Sequence, residues 1–353
     1  MMPRGRWPGV VAAFRQELGL LPPDAPELTL GEGDTPLVPA RRAGRGVVDL
    51  YFKWEGSNPT GSFKDRGMAV AVSGAIAAGA RGLLCASTGN TAASAAAYGA
   101  RAGLPVSLAI PAGHVAQGKL AQAVACGAVL FGLDGGFDAA LAAVREAAAL
   151  RPELAVVNSI NPLRLEGQKT AAHEVVAQLG RAPDWLAIPV GNAGNVTAYG
   201  RGFDECRAAG RTSAQPRLLG VQAAGAAPLV GGAPVARPET VATAIRIGRP
   251  ASGDLARAAV AASGGRFLAV PDEEILAAYR FLAQEEGLFA EPASAASVAG
   301  LWRALESGLV PDGATVVAVL TGHGLKDPDR AMTLGEAPRA VPATGAALAA
   351  ALP

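Results

Sequence analysis

The strongest constraint in this sequence is a regular alternation. Short β-branched or apolar runs take turns with helix-length Ala/Leu segments along most of the 353 residues. The pattern predicts strands over 50–54, 82–86, 106–110, 128–132 and 155–158, with helices over 64–80, 91–102, 117–126 and 137–150 between them. A second series follows: helix 163–179, strand 185–190, helix 196–209, strand 217–222, helices 272–286 and 292–306, and strand 315–320. Strands separated by helices of ten or more residues form parallel βαβ units with helices on both faces. The expectation is an α/β protein with two parallel-type open sheets flanked by helices. The polar break Arg151, Pro152, Glu153 divides a smaller block over 51–154 from a larger one made of 1–50 and 155–335, and an Ala-rich tail occupies 336–353. In such sheets ligands sit beyond the carboxyl ends of the strands, so chemistry is sought in the strand-to-helix loops.

Composition narrows the function classes. The chain is 50% hydrophobic and 17% charged, enough to bury a core and too apolar for disorder. With 31 basic and 30 acidic residues the net charge is +1, which gives no global field for nucleic acid or an acidic membrane. Cys85, Cys126 and Cys206 are odd in number and far apart, so neither a disulfide framework nor a metal knuckle is expected. Met1 to Arg15 lacks an apolar signal-peptide core. The uncharged stretch 218–236 is broken by Pro228, Pro234 and glycines, so it is not a membrane span. A cytoplasmic location is expected. The 45 glycines and 5% aromatics imply tight turns and close backbone approach to a small ligand.

Four loops are unusual. The first runs Glu55-Gly56-Ser57-Asn58-Pro59-Thr60-Gly61-Ser62-Phe63-Lys64-Asp65-Arg66-Gly67. Ser62 with Asp65 reads as a capping box, which puts Lys64 in a first helical turn, against the positive pole of the dipole. Only five lysines (Lys53, Lys64, Lys119, Lys169 and Lys326) stand beside 26 arginines. A lysine placed there suggests an amine kept for Schiff-base chemistry; on placement alone, a solvated surface lysine is equally open. The second loop, Ser87-Thr88-Gly89-Asn90-Thr91-Ala92-Ala93-Ser94, offers hydroxyls, an amide and helix N-terminal N–H groups to a carboxylate. Taken alone, an ordinary N-cap explains it better. The third, Gly191-Asn192-Ala193-Gly194-Asn195, lets backbone N–H groups approach a phosphate. The fourth, Thr321-Gly322-His323-Gly324, leaves a hydroxyl at a strand end in need of a partner, or simply ends the strand; His323 reads as a loop residue. No P-loop, dinucleotide fingerprint, zincin pair or nucleophile elbow is present, and no metal ligand set is expected.

These loops, with Gly33-Asp34-Thr35-Pro36-Leu37 and Glu291-Pro292-Ala293-Ser294-Ala295, resemble the fold-type II pyridoxal-phosphate enzymes of the tryptophan synthase β-like group. Within them the loop at Ser87 and the segment Ser159-Ile160-Asn161-Pro162-Leu163-Arg164-Leu165-Glu166-Gly167-Gln168-Lys169-Thr170 resemble the threonine synthase family. The likeness runs over 31–327. It implies pyridoxal 5'-phosphate as cofactor and an active site between two domains, the smaller one mobile. By the same likeness Lys64 carries the cofactor and acts as catalytic base. Asn90 meets the phenolic oxygen, Gly191, Asn192, Ala193, Gly194 and Asn195 cradle the phosphate, and Thr321 meets the pyridine nitrogen. Ser87, Thr88 and Asn90 belong to the substrate site, and Thr91, Ser159, Arg164 and Asn192 hold a substrate phosphate. The implied reaction converts O-phospho-L-homoserine and water into L-threonine and phosphate, in a homodimer with neither nucleic-acid nor membrane partners. A threonine or serine dehydratase of the same fold is the nearer alternative, against which Arg164 and Ser159 argue. A non-catalytic relative is the further one, against which Lys64, Asn90 and Thr321 argue. For Arg164 the competing expectation is a surface ion pair with Glu166 or Glu174.

Overall fold

Two sheets organise the chain in a computed structural model that describes residues 6–112, 117–335 and 338–352. Ten strands follow in chain order: β1 (Leu37–Pro39), β2 (Asp49–Trp54), β3 (Gly82–Ala86), β4 (Val106–Pro111), β5 (Val129–Leu133), β6 (Leu154–Val156), β7 (Trp185–Pro189), β8 (Arg217–Ala223), β9 (Arg266–Val270) and β10 (Thr315–Leu320). The larger sheet has the order β1-β2-β10-β7-β8-β9 and the smaller one β5-β4-β3-β6. All pairings are parallel except β1 with β2. The strand expected at 50–54 thus lies inside the larger sheet, and the smaller sheet is built from 82–156.

Central strands of parallel sheets are covered on both faces and read as unbroken apolar runs. β3, β7 and β10 are buried at every residue. Helices Asp272–Gln284 and Pro292–Glu306 cover one face of the larger sheet, and Pro162–Leu179, Gly194–Ala208 and Gly253–Ala262 the other. Helices Lys64–Ala77 and Asn90–Ala102 pack on one face of the smaller sheet and Phe137–Leu150 on the other. None of the helices among the described residues is long and apolar enough to cross a membrane.

Besides short helical turns such as Val10–Ala13 and Pro328–Met332, three elements escape the sequence pattern. β1 is three residues long and closes on a proline, so no alternation is visible. β9 and helix Gly253–Ala262 form one further unit on the sheet edge, where half-buried positions blur the apolar period. Boundaries differ for local reasons. The helix from Lys64 ends at Ala77 rather than 80, because Gly79 takes a left-handed conformation (φ 73°) and its N–H closes the turn on Ile76 O at 2.9 Å. The tail carries a short helix, Gly345–Ala351, with no buried residue, so it is not docked.

The parallel pairing brings the carboxyl ends of β2, β10 and β7 to one edge, and those of β3 and β6 to another. Asn158 ties the second pair of loops together: its amide accepts from Ala86 N at 2.9 Å and donates to Ala86 O at 2.8 Å. Helices Lys64–Ala77 and Pro162–Leu179 meet backbone to backbone. A Cβ on Gly167 would lie 2.1 Å from Arg66 O and 2.7 Å from Gly67 Cα, and one on Gly67 would lie 2.6 Å from Arg164 O. Only hydrogen fits at both positions, and this crossing fixes the level of Lys64 relative to Arg164. Gly167→Ala is therefore expected to lower stability by about 1–3 kcal/mol, read as a fall in the urea midpoint at unchanged slope. Gly19→Ala, with nothing within 4 Å of the added atom, should leave it unchanged.

Candidate active site

Lys64 is the first residue of its helix and its side chain is partly exposed. The capping box expected around it does not form. The N-cap is Phe63 without a side-chain cap bond, and Asp65 turns back to accept from Thr60 N and Oγ1, both at 2.6 Å, and from Ser94 Oγ at 2.6 Å. Asp65 thereby ties the Lys64 turn to helix Asn90–Ala102. Burial raises its carboxyl to about 6 against those hydrogen bonds. The Lys64 amine lies over the Phe63 ring, 4.4 Å from its centroid, with no carboxylate partner among the described residues. Burial, and then the Arg164 cation, bring its pKa down from 10.5 to about 7, with Glu291 and Cys85 opposing. A neutral amine is therefore available near neutral pH. Cys85, pushed up to about 12 by burial, stays a thiol there.

The loop after β10 reaches Lys64 directly. Phe63 N donates to Thr321 O at 3.0 Å, His323 N donates to Gly61 O at 2.9 Å, and Ser62 bridges Gly322. The buried Thr321 hydroxyl lies 3.1 Å from Ser294 Oγ and 3.4 Å from Glu291 Oε1. Asn90, expected in a loop, is the first residue of its helix. Its amide nitrogen donates to Glu291 Oε1 and Oε2 at 3.2 and 3.1 Å. Nothing local in the sequence assigns Glu291 a role; the carboxylate-plus-amide meeting is visible only in three dimensions.

Gly191 to Asn195 follow β7. Gly194 and Asn195 open helix Gly194–Ala208, and the cap, Ala193, is held at φ 66° without a side-chain cap bond. The helices opening at Lys64 and Asn90 lack side-chain caps too, whereas helix Pro162–Leu179 is capped by Asn161, which accepts from Leu163 N at 3.0 Å. Helix ends without such caps keep N–H groups free for an anion. Asn192 Oδ1 accepts from Ala251 N at 3.4 Å and its carbonyl accepts from Ser252 N at 3.1 Å. Asn195 Nδ2 is buried with no partner. Ser87 accepts from Gly89 N at 3.2 Å. Thr88, Thr91 and Ser159 are partly exposed on the neighbouring loop ends.

Arg164 is fully buried, which rules out the surface ion pair. Glu166 is taken by Lys169 and Arg201, and Glu174 by Lys53 and Arg66. One Arg164 nitrogen, Nη1, donates to Val157 O at 2.7 Å, while Nε and Nη2 have no partner among the described residues. Burial lowers its pKa to about 10. Buried donors are nearly always satisfied, so Asn195 Nδ2 and the two Arg164 nitrogens describe a site built for anionic oxygens. With an amine near neutrality, an uncapped helix start and an isolated hydroxyl, these residues fit pyridoxal phosphate.

The sequence also gave no role to Arg66, two residues beyond Lys64. It is fully buried and donates to Glu55 at 2.7 and 2.8 Å, to Glu174 at 2.6 and 2.7 Å, and to Thr35 Oγ1 at 2.9 Å. Glu174 also accepts from Asp34 N and Thr35 N, so the Gly33–Leu37 motif is an anchor for the Lys64 helix. Burial works to raise Glu174, but Arg66 and Lys53 outweigh it and hold it down to about 2.

Residues 28–322 match the family model described as "Pyridoxal-phosphate dependent enzyme", and the chain belongs to that class. A maize serine racemase structure shares the fold at TM-score 0.73 and 18% identity, over 93% of this chain and 97% of that one. The chain is 57% identical over 327 residues to a threonine synthase of Mycobacterium bovis, covering 92% of this chain and 91% of the relative. It is 56% identical over 331 residues to a threonine synthase of Synechocystis sp., covering 93% and 85%. Within its class the chain thus belongs to the threonine synthase family.

The depressed Lys64 amine has a direct consequence. In cofactor-stripped protein, modification of Lys64 by an amine-selective reagent should rise with pH to a plateau, with a midpoint near 7 rather than 10.5. Arg164→Leu removes a repelling cation and should move that midpoint upward. A midpoint near 10 in the unaltered protein would contradict the electrostatic account.

Proposed function

We propose that this chain converts O-phospho-L-homoserine and water into L-threonine and inorganic phosphate, with pyridoxal 5'-phosphate as cofactor. The family relationship supports this reading. The observation that carries it is Arg164, whose Nε and Nη2 are buried beside Lys64 without an acceptor. A substrate lacking a phosphate leaves both donors unsatisfied, whereas two phosphate oxygens match the guanidinium fork.

The roles follow from chemistry. When bound, the cofactor supplies the electron sink that makes protons near the substrate's amine-bearing carbon removable. Lys64 would hold the cofactor, and its neutral amine, when free, would take the substrate's Cα proton. A flexible stem lets the same group reach Cβ and Cγ in later proton transfers. Arg164, with Thr91, Ser159 and Asn192, holds the phosphate leaving Cγ. Charge grows on that phosphate as the C–O bond breaks, so the guanidinium favours the transition state over the ground state. Ser87 and Thr88, at the uncapped start of the Asn90 helix, take the substrate carboxylate. Asn90 would hold the cofactor at its phenolic oxygen, Thr321 at its pyridine nitrogen, and Gly191, Asn192, Ala193, Gly194 and Asn195 at its phosphate. Residues 51–54 belong to the larger sheet, and we further infer that the remainder of the 51–154 block, the part built on the smaller sheet, moves against the rest to exclude water until it is needed. The working form is inferred to be a cytoplasmic homodimer.

Incubation with O-phosphohomoserine should release phosphate and L-threonine, and Lys64→Ala should abolish both turnover and the absorbance band of the lysine-bound cofactor. Arg164→Leu should keep that band but lower turnover about a hundredfold, equivalent to ~2.7 kcal/mol. Dehydration of L-threonine, which has no phosphate, should fall far less. Formation of 2-oxo acid from threonine or serine without phosphate release from O-phosphohomoserine would make the chain a dehydratase instead.

A further inference from the structure

Glu291 is a buried carboxylate with no ion pair among the described residues. It sits at the N-cap of helix Pro292–Glu306, yet its side chain makes no cap bond, so capping does not explain it. Its backbone N–H donates to Gly322 O at 2.9 Å, and the following proline occupies the first helical position. The carboxylate lies over Gly322, where a Cβ would come 2.6 Å from Oε1 and 2.7 Å from Cδ. Residue 322 has to be glycine for the carboxylate to lie there. Burial pushes its pKa up, while Asn90, Lys326, Thr321 and Lys64 pull it down. Lys326 faces it from the turn after His323 and is itself held by Gln122 Oε1 at 2.7 Å.

Both Glu291 oxygens accept from one atom, Asn90 Nδ2, at 3.2 and 3.1 Å, and Thr321 Oγ1 braces Oε1 at 3.4 Å. A carboxylate only accepts, so it selects one of the two orientations open to an asparagine amide. The nitrogen must face Glu291, and its second hydrogen remains for a ligand. Without Glu291 the amide turns freely and presents its oxygen as readily as its nitrogen.

We propose that Glu291 is a positioning residue that fixes the Asn90 amide with its nitrogen toward the ligand. The proposal rests on the reading that Asn90 donates to the phenolic oxygen of the cofactor. An anionic or partly anionic oxygen is attracted by an N–H and repelled by an amide carbonyl, so the orientation of Asn90 bears on both cofactor affinity and ring electronics. The arrangement is the familiar one in which a ligand-binding group is itself oriented by an outer partner.

The test uses the holoenzyme and the cofactor-stripped protein reloaded with pyridoxal phosphate. Two quantities are read: cofactor Kd, and the pH midpoint of the absorbance band of the lysine-bound cofactor. Glu291→Gln keeps the volume and removes a charge that has no ion-pair partner. It should weaken cofactor binding roughly three- to tenfold, the factor carried by one hydrogen bond, and move the midpoint by about half a unit or more. Glu291→Asp, a shorter carboxylate that no longer reaches Nδ2, should act in the same direction and serves if the glutamine variant does not fold. In an Asn90→Ala background, Glu291→Gln should change either quantity less than about twofold, because the group it acts through is gone. Unchanged Kd and midpoint in both Glu291 variants, with Asn90→Ala shifting both, would overturn the proposal and leave the reading of Asn90 standing. Full-sized effects of Glu291→Gln in the Asn90→Ala background would also overturn it. An Asn90→Ala protein with unaltered Kd and midpoint would overturn the reading of Asn90 itself, and the proposal with it.

Discussion

A buried cation with too few acceptors governs this site. Arg164 is enclosed completely, yet two of its three nitrogens bond to nothing. Arg66, equally buried on the facing helix, is fully engaged by two carboxylates and two hydroxyls. The pair separates two uses of one residue type. Arg66 is held by its own protein and fixes geometry, whereas Arg164 is held by a single backbone carbonyl among the described residues, which leaves the rest of its fork for the phosphate of the proposed function. Leaving a charge uncompensated in the interior is costly, and Lys64, already lowered by its own burial, gives up its proton more easily still beside it.

Everything that places these groups depends on close backbone contact. The crossing at Gly67 and Gly167 sets Lys64 and Arg164 on facing helices with no side chain between them. The Arg66 network then clamps the Lys64 helix to β2, to the loop at Thr35 and to helix Pro162–Leu179. Asp65 reaches the other way, to Ser94 on helix Asn90–Ala102. A short run from Thr60 to Gly67 thus joins the smaller sheet's helices to the larger sheet. The loop after β10 closes the arrangement through backbone bonds to Gly61 and Phe63. The helix starts at Lys64, Asn90 and Gly194, all without a side-chain cap bond, open into the same region.

Much of this was legible in the sequence because it rests on local pattern. The buried strands Gly82–Ala86 and Thr315–Leu320 and the helix Pro292–Glu306 fall where the apolar runs put them. The loops that meet at the site are the ones rich in small polar residues and glycine. What was hidden depends on distant partners. Ser62 and Asp65 have the spacing of a capping box, yet Asp65 serves Thr60 and Ser94, because a buried carboxylate takes the strongest donors in reach wherever they come from in the chain. Arg164 has acidic residues two and ten positions further along the chain, but Glu166 pairs with Lys169 and Arg201, and Glu174 with Lys53 and Arg66. Glu291 lies 201 residues from Asn90, a separation over which no local rule operates. β1, too short to show a period, was equally out of reach.

The central claim is that Arg164 is kept for a ligand at a cost to the fold. It is tested most directly by the stability of Arg164→Met in cofactor-stripped protein, measured by urea unfolding against the unaltered chain. Replacing an unpaired buried cation by an apolar side chain of similar length should leave the unfolding free energy unchanged or raise it by about 1 kcal/mol or more. A fall of about 3 kcal/mol or more would mean that Arg164 is a paired structural arginine, and would contradict the account.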